Sequence, residues 1–307
     1  MKNNKNLNSI KGLTLVELLI SAVIAIIVLS MALSVYISAK EEYNLLKERT
    51  DIEVKQLATK RLLQDFITSA GFASKFGSAS QQYLDRTGDS LDSFFLPSGS
   101  AIRVGTLPIA TSSHISGALE DGCTGECFQS DTDYIMVRKE DSHTKLIANN
   151  SLATSLELES IADLEVDDYL LLSNKDDANL VKIASINSGS SVITLDTSPQ
   201  NTIYYKGDYA GKYNFQIMYV RNTGEQDDDG NDIFALYVFI KSSSARGISY
   251  ELVRGVNNLQ VEPASVVDEV ITWNAITSNV DVNSQDMPAI KVSFDIDDQS
   301  FSRILVL

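Results

Sequence analysis

The chain has 307 residues, 44% of them apolar, and its 41 acidic and 25 basic side chains give a net charge of −16. That length and apolar content can bury a sizeable core, enough for one large domain or two smaller ones. The charge argues against a nucleic-acid partner, because phosphate contact needs clustered Lys and Arg and no long basic cluster occurs.

In chain order, the first twelve residues carry Lys2, Lys5 and Lys11 and no acid, which leaves 22 bases against 41 acids, or −19, downstream. A run of twenty-two residues without Lys, Arg, Asp or Glu follows, from Leu18 to Ala39. As a helix at about 1.5 Å per residue it is roughly 33 Å long. That matches a bilayer core of about 30 Å. Lys-rich flanks stay cytoplasmic, so the N-terminus is expected inside and the acidic body outside.

An apolar segment behind a basic leader has three ordinary readings: a removable signal peptide, a generic anchor or a buried core helix. The run exceeds the usual 7 to 15 residues or so of a signal-peptide core, and Ile37-Ser38-Ala39 is a poor small-x-small cleavage site. A buried core helix needs no basic flank. A generic anchor leaves Glu17 unexplained, since a carboxylate beside a membrane segment is costly unless it has a partner or lies near the headgroups.

The segment Lys11-Gly12-Leu13-Thr14-Leu15-Val16-Glu17-Leu18-Leu19-Ile20 resembles the signal of type IV prepilins. The resemblance implies a cytoplasmic leader, residues 1–12, removed by prepilin peptidase between Gly12 and Leu13. Leu13 then becomes the first mature residue and is N-methylated; most relatives have Phe there. Glycine suits a cut site because a residue without Cβ lets a protease approach the backbone closely. Glu17, one helical turn from the new amine, is the carboxylate that the family uses to meet the N-terminal amine of a neighbouring subunit. On its own, Glu17 also reads as a marker of the headgroup boundary. Many major pilins carry a proline at the position of Ser34, and its absence implies a straighter helix.

From 40 to about 68 the chain has no Pro or Gly, and Leu46, Val54, Leu57, Leu62 and Phe66 recur at roughly helical spacing. One helix is predicted over 13–69, with 18–39 spanning the membrane and Gly71 as its stop. After it, residues 70–307 read as an extracytoplasmic β-rich head. Candidate strands are Tyr134–Arg138, Tyr169–Ser173, Val181–Ile186, Val192–Leu195, Phe215–Arg221, Phe234–Ile240, Tyr250–Arg254 and Ala289–Asp295. The stretch 79–130 reads as long loops. A long helix followed by strands predicts an α+β fold, the helix packed on an antiparallel sheet, as in pilins.

Head segments resemble the PilW group of minor pilins: Gln64 to Phe72, Asp133 to Arg138, Asp167 to Ser173 and Leu252 to Val261. This implies a low-abundance subunit of an initiating or tip complex in pilus assembly. Its expected partners are other pilins and minor pilins, prepilin peptidase, the inner membrane and the assembly platform. The head is expected in the periplasm and later at the cell surface. A minor pseudopilin of type II secretion and a prepilin-anchored ligand-binding head are the alternatives.

Cys123 and Cys127 are the only cysteines. An oxidising compartment lets them pair in a disulfide. Zinc with His114 and His143, and free thiols, are the other readings. The acidic turn Glu225–Asp232 has Gly230 at the sixth place of a calcium loop but Leu236 at the twelfth, where Glu belongs, and a hairpin turn explains it. No nucleophile–base spacing, phosphate loop or metalloprotease motif occurs, so neither enzyme activity nor a cofactor is expected.

Overall fold

The computed structural model of the chain describes residues 14–73, 82–89, 91, 100–109, 127–151, 154–175, 177–199, 203–245, 247–282, 287–297 and 299–307. Its Cα positions divide into two compact units, residues 1–54 and 55–307.

One helix, α1 (Leu15–Thr68), supplies the described part of the first unit beyond Thr14 and opens the second. Its 54 residues contain neither Gly nor Pro, so no position interrupts the backbone ladder. It ends at Thr68, and three residues on Gly71 adopts a positive φ of 114°. There the chain leaves the helix and joins the sheet: Gly71 N–H donates to the Arg138 carbonyl at 2.9 Å, and Glu140 N–H donates to the Gly71 carbonyl at 3.2 Å.

The strands, in order, are β1 (Gln82–Arg86), β2 (Ile102–Thr106), β3 (Asp133–Lys145), β4 (Asn150–Ser151), β5 (Ser155–Glu157) and β6 (Tyr169–Ser173). Then come β7 (Asp177–Asn187), β8 (Val192–Leu195), β9 (Ile203–Tyr204), β10 (Tyr209–Gln226), β11 (Asp232–Lys241) and β12 (Ile248–Arg254). The last are β13 (Val256–Val267), β14 (Val270–Trp273), β15 (Val280–Val282), β16 (Ala289–Ile296) and β17 (Gln299–Val306). Each candidate strand of the sequence lies within one of these. The stretch 79–130 was expected as loops, and this is corrected by β1 and β2, which fall inside it.

A large sheet runs β15-β2-β3-β10-β6-β7-β8-β5, with β11 and β12 continuing from β10. Its pairings are antiparallel except β1 on β7. The 18-residue β10 is the pivot: β3 pairs along one edge, while the other edge serves β6 over 209–212 and β11 from 215. A second, four-stranded sheet has the order β14-β13-β16-β17. The architecture is therefore a long helix plus antiparallel sheets, with strands dominant.

Alternate residues of β10 face opposite ways. Tyr213, Phe215, Ile217 and Tyr219 enter one core with Tyr134, Met136, Tyr169, Leu171 and Phe239. Leu170 and Leu172, on the opposite face of β6, join Leu156, Val181, Ile183, Ile193 and Tyr204 in another. The last turns of α1 bury Leu63, Phe66 and Ile67. Leu62 and Phe66 there share a cavity with Met218 of β10, Val238 of β11 and Leu252 of β12, which places the end of α1, from Leu62, against the sheet face away from the Tyr213 core. The second sheet is tied to the helix just before these turns by Lys55, 2.8 Å from Asp297, and by Lys60, whose Nζ lies 5.9 Å above the Phe301 ring.

Candidate functional site

Gly12 and Leu13 lie outside the described residues; the site begins at Thr14. Thr14 N–H donates to Glu17 Oε2 at 3.0 Å and Thr14 Oγ1 donates to the same oxygen at 3.2 Å. In return Glu17 N–H donates to Thr14 Oγ1 at 3.3 Å. This is a capping box: a Thr at the N-cap and a Glu three residues on satisfy each other's orphan amides. The negative carboxylate also sits where the helix dipole is positive. The Thr-x-x-Glu spacing of Thr14 and Glu17 is a recognisable sequence signal for this cap, hidden because the same residues also belong to the prepilin-like motif.

Behind the cap, every residue of 18–39 is exposed. Its larger apolar side chains, from Leu18 to Ile37, are between 47 and 70% exposed. Burying one such side chain stabilises by about 1.5 to 3 kcal/mol, so a surface of this kind in water is strongly unfavourable and calls for lipid or packed protein around it. Two hydroxyls along the run fold back on the helix: Ser21 Oγ donates to the Glu17 carbonyl and Ser30 Oγ to the Ile26 carbonyl, both at 2.8 Å. The backbone ladder and these two serines are thus paired within the helix, which is what a bilayer interior demands. Residues 15–68 are long and apolar enough to cross a membrane.

In the second unit the residues singled out by sequence are dispersed. Cys127 is buried and disulfide-bonded, while Cys123 and His114 lie outside the described residues. His143 places Nδ1 3.0 Å from Glu140 Oε1, and its ring stacks on Tyr209 at 6.0 Å. Tyr209 also donates its hydroxyl to Glu140, and burial, then that carboxylate, raises the phenol's pKa. The acidic turn between β10 and β11 is folded on itself: Asp227 accepts from the amides of Asp229 and Asn231 and from Asn231 Nδ2, at 2.8 to 3.0 Å. Those bonds lower the Asp227 pKa, the Asn231 side chain first. Among the described residues no group of three His, Cys, Asp or Glu side chains could hold a metal ion.

Two buried charges had no signal in the sequence. Arg138 is fully buried in β3, donates Nη1 to the Ser100 carbonyl at 2.9 Å and lies 4.0 Å from Asp281. Asp133, at the start of β3, accepts the Val261 amide at 2.7 Å. Burial pushes its carboxyl up to about 6, the Val261 amide opposing. Both join strands far apart in the chain, a structural rather than a chemical task.

Compared with protein-family models, with curated proteins and with solved structures, the chain matches none.

Proposed function

We propose that the chain is a minor pilin, anchored by α1 in the inner membrane with its head in the periplasm, and built after leader removal into the initiating or tip complex of a type IV pilus. One observation carries this reading. A capped helix with a wholly exposed, uncharged surface over 18–39 begins immediately behind Gly12-Leu13, the junction that resembles a prepilin cleavage site. A helix of this kind can be held first by lipid and later by neighbouring helices, which is what assembly from a membrane requires.

Glu17 has a defined part in this reading. Its carboxylate is solvent-exposed and, among the described residues, is held by Thr14 alone, in its own first turn. Exchange of that local contact for the charged amine of a neighbouring Leu13 would set the register between subunits, because a carboxylate carried out of water without a partner is costly and only one alignment of the helices supplies the amine. The acidic second unit carries no such role; it supplies the surface that partners recognise.

The test is the intact mass and N-terminal sequence of the chain from membranes, with prepilin peptidase present and absent. The expected result is a chain starting at methylated Leu13 only with the peptidase. A chain starting at Met1 under both conditions leaves a plain membrane anchor.

A further inference from the structure

At one end the second sheet narrows from four strands to two. β13 pairs with β16 from Val256 to Pro263, and beyond Pro263 it pairs with β14 alone, from Ala264 opposite Trp273 to Val267 opposite Val270. Residues 264–273 are therefore a two-stranded arm that extends past the sheet. Its base is firmly built: Ala264 is buried, Asn274 N–H donates to the Pro263 carbonyl at 3.1 Å, and the hydroxyls of Ser265 and Thr272 meet at 2.7 Å. Its tip is a tight turn in which Asp268 and Glu269 both have positive φ, 50° and 64°, the geometry of a two-residue hairpin.

The arm is apolar on both faces. Val266 lies opposite Ile271, and Val267 opposite Val270, so the two pairs point to opposite sides. All four are exposed, at 51, 57, 58 and 60%. An isolated two-stranded ribbon is marginal in water, and one with valines on both sides is worse off still. The outer edge of β14 pairs with no other described strand and can accept one.

Charge decides what covers it. From Gly255 to Ile290 there is no Lys or Arg, while Asp268 and Glu269 sit at the tip. Residues 55–307 hold 19 of the 25 bases and 35 of the 41 acids, so the second unit itself carries −16. A second copy would bring the same negative field against the arm. An anionic lipid surface would do likewise. We propose that the arm 264–273 docks into an apolar groove, rimmed by Lys or Arg, on a protein other than a copy of this chain. The valines and Ile271 fill the groove, the edge of β14 adds to a strand there, and Asp268 and Glu269 meet the basic rim. This holds however the N-terminus is processed.

The test places a photo-crosslinking p-benzoylphenylalanine at Ile271 of the full chain in the cells that make it, with the same group at Tyr205, an exposed residue beside β9, as the reference. The expected product at Ile271 alone is an adduct with one other protein, mapped by mass spectrometry to an apolar segment next to Lys or Arg. Asp268→Asn with Glu269→Gln keeps the turn and should lower the yield roughly three- to tenfold by removing the charge attraction. An adduct of two copies, a lipid adduct, the same product at Tyr205, no adduct, or a yield unchanged in the double variant would each overturn the proposal.

Discussion

Thr14 and Glu17 cap one another: each supplies the acceptor for the other's backbone amide, at 3.3 and 3.0 Å, at the start of a 54-residue helix. The same carboxylate is the one that the proposed assembly needs, so capping and assembly can be separated by substitution. Thr14→Ala removes the Glu17 amide's acceptor and should cost about 1 kcal/mol in the first turn. Amide exchange at residues 15–18, measured on the full chain in detergent, should then quicken by about fivefold, the equivalent of that energy. Glu17→Gln keeps an acceptor for Thr14, and exchange there should change little. If the proposed function is right, Glu17→Gln is nonetheless the variant lost from filaments, while Thr14→Ala still enters them.

Asp133 gives the head a pH dependence of defined sign. Its folded pKa, about 6, lies above the ordinary value of 3.8 because burial penalises the charge more than the Val261 amide favours it. A group whose pKa is raised by folding binds more protons in the native state. Its contribution is fully present below about pH 4 and is lost as pH rises through about 6. Asp133→Asn keeps an acceptor for Val261 and removes the charge. The variant should match the parent near pH 4 and exceed it at pH 8 by about 1 to 2 kcal/mol, allowing for partial solvent screening. Thermal unfolding across that range checks it; a difference that shrinks with rising pH contradicts it.

Neither the burial of Asp133 nor that of Arg138 was legible in the sequence, and the reason is topological. Asp133 and Val261 are brought together by the approach of β13 to the start of β3, and nothing near either residue signals that approach. The helix was legible because its constraints are local: no Gly or Pro, an uncharged run, then apolar residues at helical spacing. The eight candidate strands were legible as β-branched and aromatic clusters, but their partners were not. In β6 all five residues are buried, and in β10 almost all of the first thirteen, so the alternation that would have marked an inner and an outer face is missing. The arm at 264–273 is missing from the candidate strands because each half offers only two consecutive β-branched residues at the tip, Val266-Val267 and Val270-Ile271, split by Asp268-Glu269.

Two glycines should fail for different reasons when replaced by alanine. At Gly71 an added Cβ meets nothing within 4 Å, but φ is 114°. Gly71→Ala is therefore a backbone penalty, on the order of 1 kcal/mol, and it should loosen the link from α1 to β3 without disturbing the core. At Gly105 of β2 no unusual φ is involved; the added Cβ would instead collide with the Asn279 carboxamide and the Tyr134 ring. Those two groups are hydrogen-bonded to each other at 2.8 Å, and Tyr134 is fully buried. Gly105→Ala must push them apart, at a cost of about 1 to 3 kcal/mol. Tyr134→Phe removes the hydroxyl that the new methyl would strike and already breaks the bond to Asn279. In that background Gly105→Ala should cost measurably less, so a double-mutant cycle on thermal stability should show coupling between the two positions and none between Gly71 and Tyr134. Simple additivity at Gly105 and Tyr134 would mean that the methyl group is accommodated elsewhere.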